Sequence, residues 1–349
     1  MGINNFKRNK VETKNENTNF DYKPNDICFL QNLTEDSYAE SYSENKFDVF
    51  QSINDILTLV YSNINYTIIF YNIIDNKKII EIKKAHSYYI TNLRHYLDKI
   101  KEIDYLISAS SSTHNIKLWN INTFECLFDL NNFNTNGKIT SACFLNENNQ
   151  NYVLTCNFNL NNLVDSIKVF DFKGKKIKEI KDSNENAHTI INFYDNKTKI
   201  NYIITGNDSY VKSYNYNKNK KYRIYNTNST KDEIHSVKID NNEEVIKLLG
   251  SCGDGYIRVW NFHSGGLIKK INCKDYLNCL CLWNNEYVFV GCDNKLIKLV
   301  NLKTGDIVDI ISHNNYILDI KKIIHPKYGQ CLISQGNKDD QIKLWVVPK

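Results

Sequence analysis

The sequence predicts an all-β ring, a seven-bladed β-propeller of four-stranded antiparallel blades. Three observations carry this: one five-residue pattern recurs seven times, each recurrence brings four strand-like runs, and each chain end lacks what the other can supply. The pattern runs IIFYN (68–72), IKLWN (116–120), IKVFD (167–171), VKSYN (211–215), IRVWN (257–261), IKLVN (297–301) and IKLWV (342–346). Its fourth position holds Tyr71, Trp119, Phe170, Tyr214, Trp260, Val300 and Trp345, at spacings of 48, 51, 44, 46, 40 and 45 residues. A near-constant period of that length marks a repeat architecture.

Within each unit, short alternating or apolar runs are separated by Asn, Asp and Gly turns. In the fifth they read EIHSVKI, VIKLLGS, YIRVWNF and GLIKKIN. A period of two points side chains to alternate faces of a strand, and no sustained helical period competes with it. Four short antiparallel strands per unit, repeated radially, protect most strand edges. The last unit stops short: QIKLWVV ends two residues before Lys349, leaving no fourth strand. The run ICFLQNL (27–33) stands ahead of the first unit without a partner, so it is expected to complete the last blade and close the ring, removing an exposed edge. Residues 1–24 are polar and poor in aliphatic side chains and read as a disordered tail, with a single propeller over 25–349. NLNN (159–162) and NKNKK (217–221) read as exposed loops.

On these residues the chain resembles the WD-repeat propeller family. That family's blade has a Gly-His pair before the inner strand, an Asp in the turn before the third strand, and Trp-Asp ending that strand. Here the terminal pair is at best Trp119-Asn120 and Trp260-Asn261, and the Gly-His pair is Ala85-His86, Ala187-His188 or Ser312-His313. Asp208, Asp254 and Asp339 match the turn aspartate, each six residues before its aromatic position. The resemblance implies that His86, Trp119, His188, Asp208, Asp254, Trp260, His313, Ser334, Asp339 and Trp345 belong to buried structural relays. A relay of this kind satisfies polar groups that burial would otherwise orphan, so these residues are not a Ser–His–Asp triad. Blade 2 has Thr113 and His114 where the aspartate should stand, so its relay is expected to be incomplete. Blades 1, 3, 5 and 6 lack the histidine, and their turns are expected to be held by packing.

The remaining composition narrows function by exclusion. The chain has 349 residues, 42% hydrophobic and 24% charged, with a net charge of +5. Basic and acidic residues interleave, and no basic-and-aromatic array suggests a nucleic-acid platform. No apolar run approaches a membrane span and no signal peptide opens the chain. The ten cysteines form no C-x-x-C pair; several lie within strands, as Cys279 and Cys281 do, and read as buried thiols in a reducing compartment. No phosphate loop, H-E-x-x-H, G-x-S-x-G or G-x-G-x-x-G occurs. No catalytic residue, cofactor or metal site is therefore expected, and the lysines of FKGKKIKEIK (172–181) read as a solvated outer strand. The FRRG motif of phosphoinositide-binding propellers and the Trp-Asp-x-Arg signature of ubiquitin-ligase receptors are absent.

One pattern suggests binding. HSYYITNL, CKDYLNCL and HNNYILDI place Tyr89, Tyr276 and Tyr316 at one repeat position, which by the resemblance lies on the top face near the channel mouth. Tyrosine combines apolar area with a polar tip and is enriched at binding hot spots. The expected function is a non-catalytic interaction scaffold, or a subunit of a larger intracellular complex, cytoplasmic rather than nuclear, binding a peptide or partner domain there. The alternative is a reader of a modified peptide or small ligand in the central channel.

Overall fold

The computed structural model describes residues 27–347 except 35, 40–45, 111–114, 131–137, 159–165, 182–185, 229–232 and 339–340. The 1–24 tail, the 159–162 loop, Thr113, His114 and Asp339 therefore lie outside the described residues. Strand β1 (Cys28–Asn32) precedes blade 1, formed by β2–β5 (48–82). Blades 2 to 6 follow as β6–β9 (90–129), β10–β13 (138–181), β14–β17 (187–226), β18–β21 (234–272) and β22–β25 (277–312), and blade 7 takes β26–β28 (317–346). Blades 1 to 6 pair their strands in sequence order, all antiparallel. Consecutive inner strands touch all the way round, from β2 to β6 and on to β26, which touches β2 again. The array is a closed ring of seven.

The closure joins the chain ends. β1 pairs with β28 (Ile342–Val346), placing Cys28 opposite Val346 and Phe29 opposite Trp345. The Leu33 amide donates to the Ile342 carbonyl at 2.7 Å, and the Ile342 amide donates to Thr34 Oγ1 at 2.9 Å. With this, blade 7 has four strands like the rest.

Burial follows the alternation in the sequence. The third and second strands of each blade are buried almost throughout, as in β20 (Tyr256–Asn261), whereas the outer β21 (Leu267–Asn272) leaves Leu267 and Ile268 exposed and buries Ile271. Each blade interface holds an apolar cluster drawn from both neighbours. Val60, Ile68 and Phe70 meet Leu93, Leu106 and Trp119 between blades 1 and 2; Leu59 and Ile69 meet Ile333 and Leu344 across the closure. Side chains also stitch the inner strands together: the Lys46 amide donates to Asp319 at 3.0 Å, the His95 amide to Asp48 at 2.8 Å, and the Leu280 amide to Ser236 at 3.1 Å.

Two rings of bulges run through the sheets. Opposite the repeat's aromatic position, the outer strand carries an extra residue in every blade, including β1, where the register shifts between Phe29 and Gln31. A bulge twists an edge away from further pairing, which suits the outermost strand of a ring. In blades 2 to 7 the inner strand is also bulged near its start, leaving Thr91, Thr140, His188, His235, Asn278 and Leu318 out of the ladder. These six equivalent positions lie at the end of the blades where the inner strands begin and the second-to-third-strand turns sit, here called the upper face.

Candidate functional site

The upper face gathers the residues the sequence singled out. Ile90, Leu277 and Ile317 are the first paired residues of their inner strands, each at the same place in the register. Tyr89, Tyr276 and Tyr316 immediately precede them and are thus equivalent, each half-buried. Their environments differ. The Tyr276 hydroxyl lies 2.6 Å from His235 Nε2 and donates to Glu233 at 3.1 Å, reaching from blade 6 to blade 5. The Tyr316 hydroxyl accepts from the Asn337 side chain of its own blade. Tyr89 instead joins an aromatic cluster, stacking on Tyr38 at 5.0 Å and meeting Tyr66 and Tyr88 edge-on at 5.3 and 4.9 Å. Tyr88 is 41% exposed. Beside the cluster a cleft of about 880 Å³ opens between blades 1 and 2, with Tyr66, Lys84, Ser87 and Lys117 on its walls and His86 among its lining residues. Tyr38, Tyr66 and Tyr88 escaped the repeat alignment because they lie in connections where the repeat has no fixed residue type.

The relay residues fall into three arrangements. In blade 2, Ser108 Oγ accepts from Trp119 Nε1 at 2.8 Å and lies 2.6 Å from His86 Nε2. The hydroxyl links ring and indole, so the described part of this relay is built without any aspartate. Burial, with a contribution from Lys117, pushes the His86 pKa down from 6.5 to about 3, so the ring is neutral and Nε2 accepts the serine proton. Blade 7 repeats the serine–tryptophan half of the motif: Trp345 Nε1 donates to Ser334 Oγ at 2.8 Å, and the His313 ring packs 6.3 Å from the Trp345 ring.

Blade 4 differs, and the Ala187-His188 alignment needs correcting. His86 and His313 stand four residues before the first paired residue of their inner strands, whereas Ala187 is itself that residue and His188 is the bulge after it. His188 is thus no counterpart of the other two histidines. It contacts Asp208, Nε2 to Oδ1 2.7 Å, and Asp208 also accepts from the Asn186 amide at 3.2 Å. Burial works to raise the Asp208 pKa, but these bonds hold it below the ordinary carboxylate range.

In blade 5, which lacks the histidine, the expectation that packing holds the turn needs correcting, because an arginine holds Asp254. Arg258, fully buried, clasps Asp254 through two hydrogen bonds of 2.8 and 2.5 Å. Burial opposes the guanidinium charge, but the Asp254 bonds hold it and leave the pKa above the ordinary arginine value. Gly250 occupies the register position of Ser108 and Ser334. It offers no hydroxyl, and a Cβ there would stand 3.1 Å from the Trp260 ring. The indole turns elsewhere and donates to the Asn226 carbonyl at 3.3 Å. The turn of blade 5 is therefore locked by an ion pair, not by packing alone.

All ten cysteines are free thiols, eight of them buried. Burial pushes Cys143 and Cys281 up to about 11, so both are neutral and weakly nucleophilic at pH 7.

A closed ring of seven four-stranded blades defines a seven-bladed β-propeller, and its degenerate repeats, with a His–Ser–Trp hydrogen-bond chain in blade 2, are similar to those of the WD-repeat family. Residues 219–261, ending on Trp260-Asn261, match the family model described as WD domain, G-beta repeat. The chain is also similar to the WD repeat-containing protein JIP5 of Kluyveromyces lactis, 26% identical over 132 residues that take in 36% of this chain and 24% of that protein. The match thus spans about a quarter of that relative's length. Among the described residues there is no helix long and apolar enough to cross a membrane. WD-repeat propellers are generally protein-interaction scaffolds and typically non-catalytic.

Proposed function

We propose that this propeller is a non-catalytic scaffold, or a stable subunit of an intracellular complex, that receives a peptide or partner domain on its upper face between blades 1 and 2. The observation that carries this reading is the Tyr38–Tyr66–Tyr88–Tyr89 cluster beside the open cleft. Clustered tyrosines give large contact area at low side-chain entropy cost, and rigid blades hold their loops before the partner arrives. Tyr276 and Tyr316, whose hydroxyls are bonded within the propeller, serve as flanking caps of the same face. A reader of small ligands in the central channel is the weaker reading, since Arg94 of blade 2 reaches past blade 3 to the Ile190 carbonyl of blade 4 at 3.4 Å.

The test compares tagged wild type with Tyr66→Ala/Tyr88→Ala and with Tyr276→Ala/Tyr316→Ala, each confirmed folded by circular dichroism. A partner recovered with wild type is then purified and titrated. Loss of about 2 kcal/mol per hot-spot tyrosine, confined to the first variant, supports the reading. Equal binding by wild type and the first variant sinks it.

A further inference from the structure

We propose that the junction of blades 4 and 5 holds a divalent transition-metal site of the zinc class, with His188, Glu233 and His235 as its protein ligands. The two histidines occupy equivalent bulges on adjacent inner strands, β14 (Ala187–Asp195) and β18 (Ile234–Asp240). A bulge turns its extra residue out of the ladder and re-aims the side chain. At this position blades 2, 3, 6 and 7 carry Thr91, Thr140, Asn278 and Leu318, so among the described residues only this junction sets imidazole beside imidazole at paired bulges.

Blades 4 and 5 approach closely there because Gly206 has no side chain. A Cβ on it would stand 2.6 Å from the Ile234 carbonyl oxygen. The approach leaves the rings edge to face, centroids 5.4 Å apart, with His188 8% and His235 1% exposed. Glu233 completes the set. The Gly253 amide pins its carbonyl at 3.0 Å, and its carboxylate lies 3.4 Å from His235 Nε2. One donor atom from each of the three lies within 4.8 Å of the others.

Two imidazoles and a carboxylate form a ligand set that zinc uses when a fourth position is left for water or another oxygen. Zinc–nitrogen bonds of about 2.0–2.1 Å place tetrahedral donors roughly 3.3 Å apart, so the set must contract. The partly exposed Glu233 side chain, 47% accessible, can supply that movement. An orienting group is already in place. Asp208 lies 2.7 Å from His188 Nε2; a carboxylate accepting the proton of one ring nitrogen fixes the tautomer in which the other carries the coordinating lone pair. The Tyr276 hydroxyl, bonded to both His235 and Glu233, is displaced by the ion or becomes its fourth oxygen. Metal loading would thereby reset one of the upper-face tyrosines. The site itself does not depend on the partner reading.

The test is a zinc titration of the full-length chain, stripped with chelator and with the exposed Cys28 and Cys126 thiols alkylated, against a chromophoric chelator. Expected is one zinc per chain, weakened at least tenfold in Glu233→Gln and ten- to a hundredfold in Asp208→Asn, with a zinc-dependent rise in Tm that Glu233→Gln abolishes. The accessible Glu233 makes the first variant safe for folding even if substitutions at the histidines are not. No stoichiometric binding, or equal affinity in wild type and Glu233→Gln, overturns the site.

Discussion

Blades 2 and 5 occupy equivalent places in the ring and carry the same Trp-Asn ending, yet they are fastened by different chemistry. In blade 2 a neutral chain of His86, Ser108 and Trp119 ties the connection entering the blade to its second and third strands. In blade 5 a buried ion pair, Arg258 with Asp254, ties the third strand to its own turn, and Trp260 is left to bond a neighbouring blade. The backbone register is common to both; the fastening is not. A degenerate repeat keeps the pattern that packs the blade and is free to change how the turn's polar groups are satisfied.

The two fastenings should fail in different ways. The largest effect is expected at blade 5. Arg258 is fully buried, so Arg258→Ala strands the Asp254 carboxylate where only a little water reaches it. Removing one partner of a buried pair typically costs about 3–5 kcal/mol. Equilibrium denaturation should show that loss, at low and high salt alike because a buried pair is poorly screened. A cost below about 1 kcal/mol would mean that the ion pair is incidental and both blades rest on apolar packing.

Blade 2 should instead be the acid-sensitive one. The His86 pKa falls from 6.5 to about 3 on folding. Below pH 6.5 the unfolded chain's imidazole takes a proton that the buried ring refuses, so this contribution is intact above pH 6.5 and is lost as pH falls towards 3. At pH 5 the loss amounts to about 2 kcal/mol, from 1.36 kcal/mol per unit. His86→Gln, which cannot titrate, should flatten stability between pH 7 and 5 relative to wild type, at the expense of lower stability at pH 7. Parallel profiles for the two proteins would place the acid sensitivity elsewhere.

Much of this architecture is readable from residue order. The seven aromatic positions, the four runs per unit and the incomplete last unit lead to the closed ring, because each rests on a period or a count that packing must respect. The fastenings are less readable, since they depend on where a side chain falls relative to the strand start. Ala85-His86 and Ala187-His188 look alike, but three residues separate His86 from Ile90, whereas His188 is already within its strand. The distance from histidine to the first apolar strand residue carried that signal. The His188–Glu233–His235 cluster was illegible because its ligands come from two repeats 47 residues apart, brought together by a glycine-permitted approach. Tyr38, Tyr66 and Tyr88 were illegible because loops carry no period.

The sharpest test of the comparison exchanges one fastening for the other. Gly250 sits where Ser108 and Ser334 sit, so Gly250→Ser supplies the hydroxyl that blade 5 lacks. If the missing serine were the only difference, Trp260 Nε1 would swing onto it and the blade would gain a hydrogen bond. The geometry argues otherwise. A Cβ at this position meets the Trp260 ring at 3.1 Å and Ile234 at 3.6 Å, and Trp260 is wedged with Tyr225 and Phe262 in the cluster between blades 4 and 5. The ring must shift by a few tenths of an ångström in a close-packed interior, so Gly250→Ser is expected to destabilise by about 1 kcal/mol. A gain in stability, with the indole emission moving as its N–H changes partner, would show that the blade 5 lock is a substitute that a single residue can reverse. A loss would show that the glycine and the arginine lock belong together: once the indole fills the serine's space, the turn aspartate needs a different counterpart, and Arg258 is the side chain long enough and buried enough to be it.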